Sequence, residues 1–481
     1  MNEHEMMRRK RRTARMRKKR RQRRILFGAM IISILLIVLI TVGMISISNK
    51  KKTEKERAEK EAEMKAQQEL LLQKESNAKE LLNNLYKLTL ETEEDILFAE
   101  WFFETYEEDI QTKLLERAED NELTEAEIYE ITGESLYVLS DRYCGLLADE
   151  QTAASNQIYI KEGKERNQIS ISIAGDLCLT EDGFVIDHYD KVNGLKECIS
   201  PEILEITNGT DLFYVNHEYT ISDRGTPLKG KFYTFRAKPE RMSILQEMGT
   251  DIVSLANNHV YDYGPDALYD TADLLEKAGI PYVGGGRNIE EAKRPVYMIV
   301  NGIKIGFVGA SNGERNKYTP QATESTPGIL RAYDTTEYNE VIQNASKECD
   351  YLIAYIHWGT EDSNYLNEDQ QRWGREFLAS GADIVIGGHP HVLQGIEYVD
   401  GKPIIYSLGD FWFNHETKYT GLLKLNINLD GLQEMSFVPC LQTGFTTQYL
   451  SEPEKQQKLY EFLEELSPNV KIDENGVISE S

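Results

Sequence analysis

Cysteine is scarce in this chain, five residues in 481, at positions 144, 178, 198, 349 and 440. An odd number without paired spacing supplies no disulfide framework, so the fold has to rest on a buried core, and at least one thiol is free or intermolecular. Positive charge is scarce as well, except at one end. Lys and Arg number 54 against 80 Asp and Glu, and thirteen of them crowd residues 1–24, which carry +11 beside Glu3 and Glu5 and leave −37 for everything after. Such a surface repels a phosphate backbone, which excludes a broad nucleic-acid face. Apolar runs of membrane-spanning length are also lacking, save one. Wholesale disorder is excluded by the Val/Ile/Leu-rich stretches after residue 168.

The one long apolar run is Ile25 to Ser48, ILFGAMIISILLIVLITVGMISIS, without a charge. As a helix it reaches about 36 Å, enough for a hydrocarbon core of roughly 30 Å. It is longer than the apolar part of a signal peptide and ends without a small-x-small cleavage pattern, which predicts a single transmembrane helix over 25–48. The basic cluster Arg8 to Arg24 then marks residues 1–24 as a cytoplasmic tail and sends the rest of the chain outside. Residues 49–88 are rich in Lys, Glu, Ala, Gln and Leu, and from Lys50 on lack Pro and Gly, which predicts a helical stalk. Heptads counted from Met64 place Met64, Leu71, Ala78 and Leu85 at one seam position and Gln67, Lys74, Leu81 and Leu88 at the other. That seam is only partly apolar and suits a spacer or a short coiled coil for self-association. Residues 89–167 keep helical spacing and add Trp101, Phe102, Phe103 and Tyr106, a helical subdomain with a core of its own.

From about residue 168 the texture changes to short apolar runs and amphipathic helices. Strands are predicted at 169–175, 211–216, 251–256, 302–310, 351–357, 383–388 and 403–409. The helical patterns PERMSILQEMG, DALYDTADLLEKAG and EDQQRWGREFLASG lie between them and close on Gly. Strands alternating with helices give an α/β fold class, in which ligands bind beyond the carboxyl ends of strands.

Five of those ends carry metal-binding types: Asp176, then Asn216 and Glu218, then Asn257, Asn258 and His259, then His357, then His389 and His391 around Pro390. Carboxylates and amides mixed with imidazoles suit Mn, Fe or Zn, often as two ions in phosphoesterases. Taken singly, Asp176 reads as a turn carboxylate, Asn258 and His259 as loop caps shaped by Asp262 and Gly264, and His357 beside Trp358 as a core histidine. Two imidazoles flanking a proline after Gly-Gly resist that reading, and five coincidences at strand ends outweigh it. Gly284 to Gly286 with Arg287 lacks the Lys-Ser/Thr ending of a phosphate loop and reads as a strand-to-helix turn. Glu361 and Asp362 read as a solvated loop.

The motifs GD (175–176), VNHE (215–218), SLANNHVYDYG (254–264), HWGTE (357–361), GGHPHVLQGIE (387–397) and IIYSLGDF (404–411) closely resemble the CapA family of capsule-synthesis proteins linked to poly-γ-glutamate, over roughly residues 168–450. Residues 451–481 follow as a C-terminal helix and tail. The resemblance implies a metallophosphatase-like four-layer α/β/β/α sandwich related to calcineurin-like phosphoesterases, with two divalent metal ions. It implies Asp176 and His391 on one ion, Glu218 as the bridge, Asn258, His357 and His389 on the other, and His259 as the catalytic acid for a leaving group. Asn216, Asn257, Asp262, Asp410 and Cys178 would surround them.

The resemblance also implies a part in making or exporting a surface polymer from a bacterial cell membrane, with membrane subunits of a polymer synthase as partners. A metal-dependent hydrolase acting on a phosphoester or amide, a non-catalytic scaffold of the synthase, and a phosphodiesterase of wall polymer or lipid head groups are all compatible with such a fold. For a polyanionic substrate the surplus acidity would need offsetting, by bound cations or by a basic rim of Arg224, Lys229, Lys231, Arg236 and Lys238.

Overall fold

The computed structural model of the chain describes residues 50–90, 97–143, 157–161, 163–164, 168–181, 185–192, 194–314 and 317–481. The expected cytoplasmic tail and the membrane helix over 25–48 lie outside these residues, as does Cys144. Among the described residues no helix is long and apolar enough to cross a membrane. The chain divides into two compact units, residues 1–153 and 154–481.

The first unit is helical. Helix α1 (Lys50–Thr89) is followed by α2 (Phe98–Thr105), α3 (Glu108–Arg117), α4 (Glu125–Thr132) and α5 (Leu136–Tyr143). The stripe of α1 that is buried runs through Ala78, Leu82 and Tyr86, one helical turn apart, and packs against Phe98, Trp101, Phe102 and Tyr143. That stripe shares Ala78 with the heptad seam, and Leu81 and Leu85 of the seam pack against the same core, while Leu71 is about half exposed and Leu88 is exposed. The end of α1 is therefore part of this small core. Helix α4 starts at a capping box, with Thr124 Oγ1 accepting from Glu127 N and the Glu127 carboxylate accepting from Thr124 N, and stops at Gly133 in the left-handed region.

The second unit holds two mixed sheets. In chain order their strands are β1 (Ile158–Lys161), β2 (Ile169–Leu177), β3 (Leu212–His217), β4 (Ile252–Ser254), β5 (Tyr282–Val283), β6 (Val296–Val300), β7 (Ile303–Ser311), β8 (Tyr351–His357), β9 (Ile384–Gly388), β10 (Ile396–Val399), β11 (Lys402–Ile405), β12 (Asp410–Trp412), β13 (Lys418–Asn428), β14 (Gly431–Thr443) and β15 (Thr446–Tyr449). One sheet runs β1-β6-β7-β8-β9-β11-β10; the other runs β15-β14-β13-β2-β3-β4-β5, with β12 parallel to β2. In the first, β7, β8, β9 and β11 are parallel; in the second, β2 through β5 are. The seven expected strands all lie in these sheets, and two stop early, 251–256 at Ser254 and 403–409 at Ile405. The antiparallel ribbon β13–β14 carries the alternation of a half-covered strand pair joined at Asp430-Gly431.

Alternate side chains of the parallel strands decide the layering. Ile171, Ile173 and Tyr214 of one sheet meet Ile305, Phe307, Ile353 and Ile386 of the other in one shared core. The opposite faces are covered by helices: Pro265–Ala278 and its neighbours on one side, Thr336–Ala345 and Glu368–Ser380 on the other. A strand buried on both faces is apolar almost throughout, which is why β7, β8 and β9 read as unbroken runs. The last residues are no loose tail, since Leu459 and Leu463 of helix Pro453–Leu466 and Val470, Ile472 and Ile478 beyond it join the core between the sheets.

Candidate metal centre

The carboxyl ends of β2, β3 and β4 from one sheet and of β8 and β9 from the other come together at one edge. Residue 176 is delivered there by a close backbone approach: Asp176 N donates to Gly409 O at 2.9 Å, and a Cβ on Gly175 would stand 1.9 Å from that same oxygen, so only glycine fits before the aspartate. Asn216 sits beneath, donating to Asp176 Oδ1 at 2.7 Å and to Glu218 Oε2 at 3.1 Å. Asn257 in turn donates to Asn216 Oδ1 at 3.1 Å and accepts from the backbone N–H groups of His259 and Val260. These two amides are thus spent on orientation.

Three groups of ligand-type atoms converge: Asp176, Glu218 and His357; Glu218, His389 and His391; Asp176, His391 and Asp410, each within 4.8 Å. Each could hold a metal ion. Asn258 adjoins them, its Oδ1 2.8 Å from His357 Nε2. Asp176 and Glu218 are each shared between groups. Asp410, expected only in the surround, lies within one group and 2.8 Å from His391 Nδ1. Cys178 is in none; it is buried in the apolar cluster outside the sheet, where burial pushes its thiol well above the ordinary range. Both histidines around Pro390 have positive φ, 94° at His389 and 59° at His391. Side chains other than glycine hold such backbone at about 1–3 kcal/mol each, and strain of that kind gathers at functional sites.

The electrostatics explain what the cluster lacks. Burial and then the Glu218 charge push the Asp176 carboxyl up to about 7, and burial pushes Glu218 likewise up to about 7. Burial drives His357 down to about 3 and His389 well below the imidazole range, so both are neutral with lone pairs available. His391 goes the other way: burial lowers it, but Asp410 and Glu218 outweigh that and hold it at about 10. Two buried atoms of these residues have no hydrogen-bond partner: Glu218 Oε1, which lies 3.5 Å from His357 Nε2 and 3.9 Å from His391 Nε2, and His389 Nδ1.

His259 stands at the side. Its Nδ1 is 2.6 Å from Asp262 Oδ2, and Asp262 also accepts from Phe235 N at 2.7 Å and pairs with Lys231 Nζ at 2.7 Å. Lys231 was expected on a basic rim. Instead its side chain is 4% exposed, bridging Asp262 and Glu314. The rest of that rim is largely committed too: Arg224 pairs with Asp270, Arg236 lies over the Tyr263 ring, and Lys238 faces Glu181. Lys418, which the sequence did not single out, lies 3.7 Å from Asp410 and closer to Asp362 and Glu416. A lysine leaves no periodic signal that would mark it as such a bridge. The glycine triplet at 284–286 forms a two-residue strand and a turn into helix Ile289–Lys293, capped by Asn288, while Arg287 pairs with Asp273 and Glu276. Glu361 and Asp362 are exposed.

The same stretch is what the chain shares with other proteins. A family model described as bacterial capsule synthesis protein PGA_cap matches residues 170–415, just over half of the chain and every residue of the cluster. The chain belongs to this capsule-synthesis family. It is 33% identical over 204 residues to the PGA biosynthesis protein CapA of Bacillus subtilis, covering 42% of this chain and 53% of that protein. To the capsule biosynthesis protein CapA of Bacillus anthracis it is 31% identical over 211 residues, 42% of this chain and 50% of that one. The chain thus spans about half the length of the curated relatives it matches.

Proposed function

We propose that this family member is a membrane-anchored, extracytoplasmic protein of capsule or poly-γ-glutamate synthesis or export, with a metallophosphatase-like centre of two divalent ions, Mn, Fe or Zn, that serves a hydrolytic step on a phosphoester or amide bond. The observation that carries the reading is the pair of atoms without a hydrogen-bond partner, Glu218 Oε1 and His389 Nδ1, in a cluster of ligand-type side chains whose carboxyls burial pushes up. Leaving such atoms unpaired is expensive, and a cation answers both needs at once. Asp176, Glu218, Asn258, His357, His389 and His391 would hold the ions, with Asp410 beside His391. When bound, the ions would lower the pKa of a water and steady the charge that develops on the substrate.

The remaining work falls to the chain's own groups. Asp262 fixes the His259 ring through Nδ1, which leaves Nε2 as the atom that takes up or delivers a proton. Lys231 and the Phe235 amide hold Asp262 in turn, so the ring cannot swing away. Asn216 keeps the Asp176 and Glu218 carboxylates turned towards each other. The anchor reading rests on the uncharged run 25–48 and the cations before it.

The test is elemental analysis of the purified protein beside the double variant His389→Ala/His391→Ala. About two equivalents of Mn, Fe or Zn, lost in the variant, support the centre and justify assays on phosphoester and γ-glutamyl substrates. No metal in either, even after reconstitution, refutes it and leaves a scaffold of the synthase as the reading.

A further inference from the structure

The run from Arg224 to Lys238, RGTPLKGKFYTFRAK, holds five cations and no acid, in a chain that carries −37 beyond residue 24. Four of those cations are engaged. Lys231 bridges Asp262 and Glu314, Arg224 pairs with Asp270, Lys238 faces Glu181, and Arg236 lies over the Tyr263 ring. The fifth, Lys229, is exposed, and no carboxylate among the described residues pairs with it. Beside it stands a second free cation, Lys317, exposed and likewise without a carboxylate among the described residues, its ammonium 4.1 Å from the centre of the Tyr318 ring. Tyr318 Oη donates to Gly230 O at 2.6 Å, which ties that cation to the same loop.

Between these charges the loop holds two rings out in water. Phe232 is 98% exposed and Tyr233 is 70% exposed, with centroids 6.5 Å apart. The backbone behind them is pinned: Leu228 N donates to Asp262 O at 2.9 Å, Phe235 N donates to Asp262 Oδ2 at 2.7 Å, and Lys231 is fixed between them. Contiguous exposed apolar surface rimmed by polar groups marks a protein or membrane contact. Shape chooses between a passing chain and a surface. A ring with 98% of its area in water has no wall beside it, so a polymer in solution covers one face of it, whereas a lipid interface takes in the whole ring. Aromatic rings flanked by lysines are the composition that such an interface selects, rings at the level of the head groups and ammonium groups on their phosphates.

We propose that residues 229–233 form a membrane-docking tip, in which Phe232 and Tyr233 enter the surface of an anionic bilayer while Lys229 and Lys317 meet its head groups. The proposal rests on the anchor reading of residues 25–48, which keeps the chain on a bilayer, so that the tip has only to add a second contact. Burial of the Phe232 ring favours the docked loop about 30-fold, and each lysine adds about fivefold at an anionic surface. Phe235, three residues on, lies 4.2 Å from His259, so a docked tip holds the mouth of the candidate centre at the lipid surface.

The test reconstitutes the full chain into vesicles of phosphatidylethanolamine and phosphatidylglycerol, with Phe232→Trp as the reporter. Its emission, and its quenching by bromine-labelled lipid, are read against the parent, whose Trp101, Trp358, Trp373 and Trp412 are all buried. The introduced indole should shift to the blue and be quenched. Leu429→Trp, exposed in the turn between β13 and β14 beside Asp430, should show neither. Adding Lys229→Gln/Lys317→Gln should lower the ratio of quenched to unquenched reporter about 25-fold, as should vesicles of phosphatidylcholine alone. These side chains are exposed, so the circular-dichroism melt should not move. A chain that does not float with the vesicles would refute the anchor and the tip together. A chain that floats with an unquenched reporter, with both reporters quenched alike, or with no response to the lysine substitutions would refute the tip alone. Quenching lost on addition of γ-linked hexaglutamate, with flotation unchanged, would assign the loop to an anionic polymer and overturn the proposal.

Discussion

Gly388, the last residue of β9, offers a sharp check on the geometry of the centre. A methyl group there would stand 2.3 Å from Tyr355 Oη and 2.7 Å from Asp176 Oδ1. Ordinary contact begins near 3.4 Å, so the hydroxyl must retreat about 1.1 Å and the carboxylate about 0.7 Å. Asp176 is held in place, because its Oδ1 already accepts from Asn216 and its Oδ2 accepts from His389 N at 3.0 Å, and Tyr355 Oη lies 3.3 Å from His357 Nδ1. Overpacking of this kind costs about 1–3 kcal/mol. Metal ligands tolerate displacements of only about 0.2 Å, so metal affinity should fall at least 10-fold, on the order of a lost supporting contact. Gly209, at the exposed end of helix Pro201–Gly209, has nothing within 4 Å of its would-be Cβ. Gly209→Ala should therefore be neutral or stabilise by about 0.5 kcal/mol. Urea denaturation gives both stabilities and metal titration gives both affinities. A Gly388→Ala protein that matched Gly209→Ala in both would refute the packing described here.

Three further outcomes are expected. Lys231→Met should destabilise the second unit by about 3–5 kcal/mol, since it strands the Asp262 and Glu314 carboxylates; a loss under about 1 kcal/mol in urea melts would mean that they find other partners. Arg241, whose guanidinium grips Glu181 at 2.8 Å and Asp190 at 2.8 Å, holds both carboxyls below their usual values, although burial opposes this at Glu181. Lowered acids add stability above their unfolded pKa and lose it as pH falls through the folded one, so the deficit of Arg241→Ala should be largest near neutrality and shrink as pH falls below the ordinary carboxylate range; a deficit that persists in acid would assign it to packing. Deleting residues 1–50 should move the remainder from the membrane fraction to the soluble one, because no other uncharged run of spanning length remains, and recovery in membranes would contradict the anchor reading.

Much of the second unit's element pattern follows from local chemistry, while the anchor reading remains a proposal from the run 25–48. Uncharged residues 25–48 behind a block of arginines, apolar strands ending in Asp, Asn and His, and helices closing on Gly are signals carried by neighbours in the chain. The β13–β14 ribbon was legible in the same way, through its alternation about Asp430-Gly431, and escaped only because its strands carry no motif. What the sequence could not decide is what each polar residue faces. Glu218 and His217 are adjacent, yet one carboxylate meets His357 and His391, while the other ring lies buried against Tyr219 with both nitrogens unpartnered, because a strand sends successive side chains to opposite faces. Lys231 was read as a rim cation and became an interior bridge, and Asp410 moved from the surround to contact with His391, for one reason: which charges meet depends on loops that the chain separates by 19 residues (His391 and Asp410) to 213 (Asp176 and His389), and only the face-to-face packing of the two sheets brings those loop ends together.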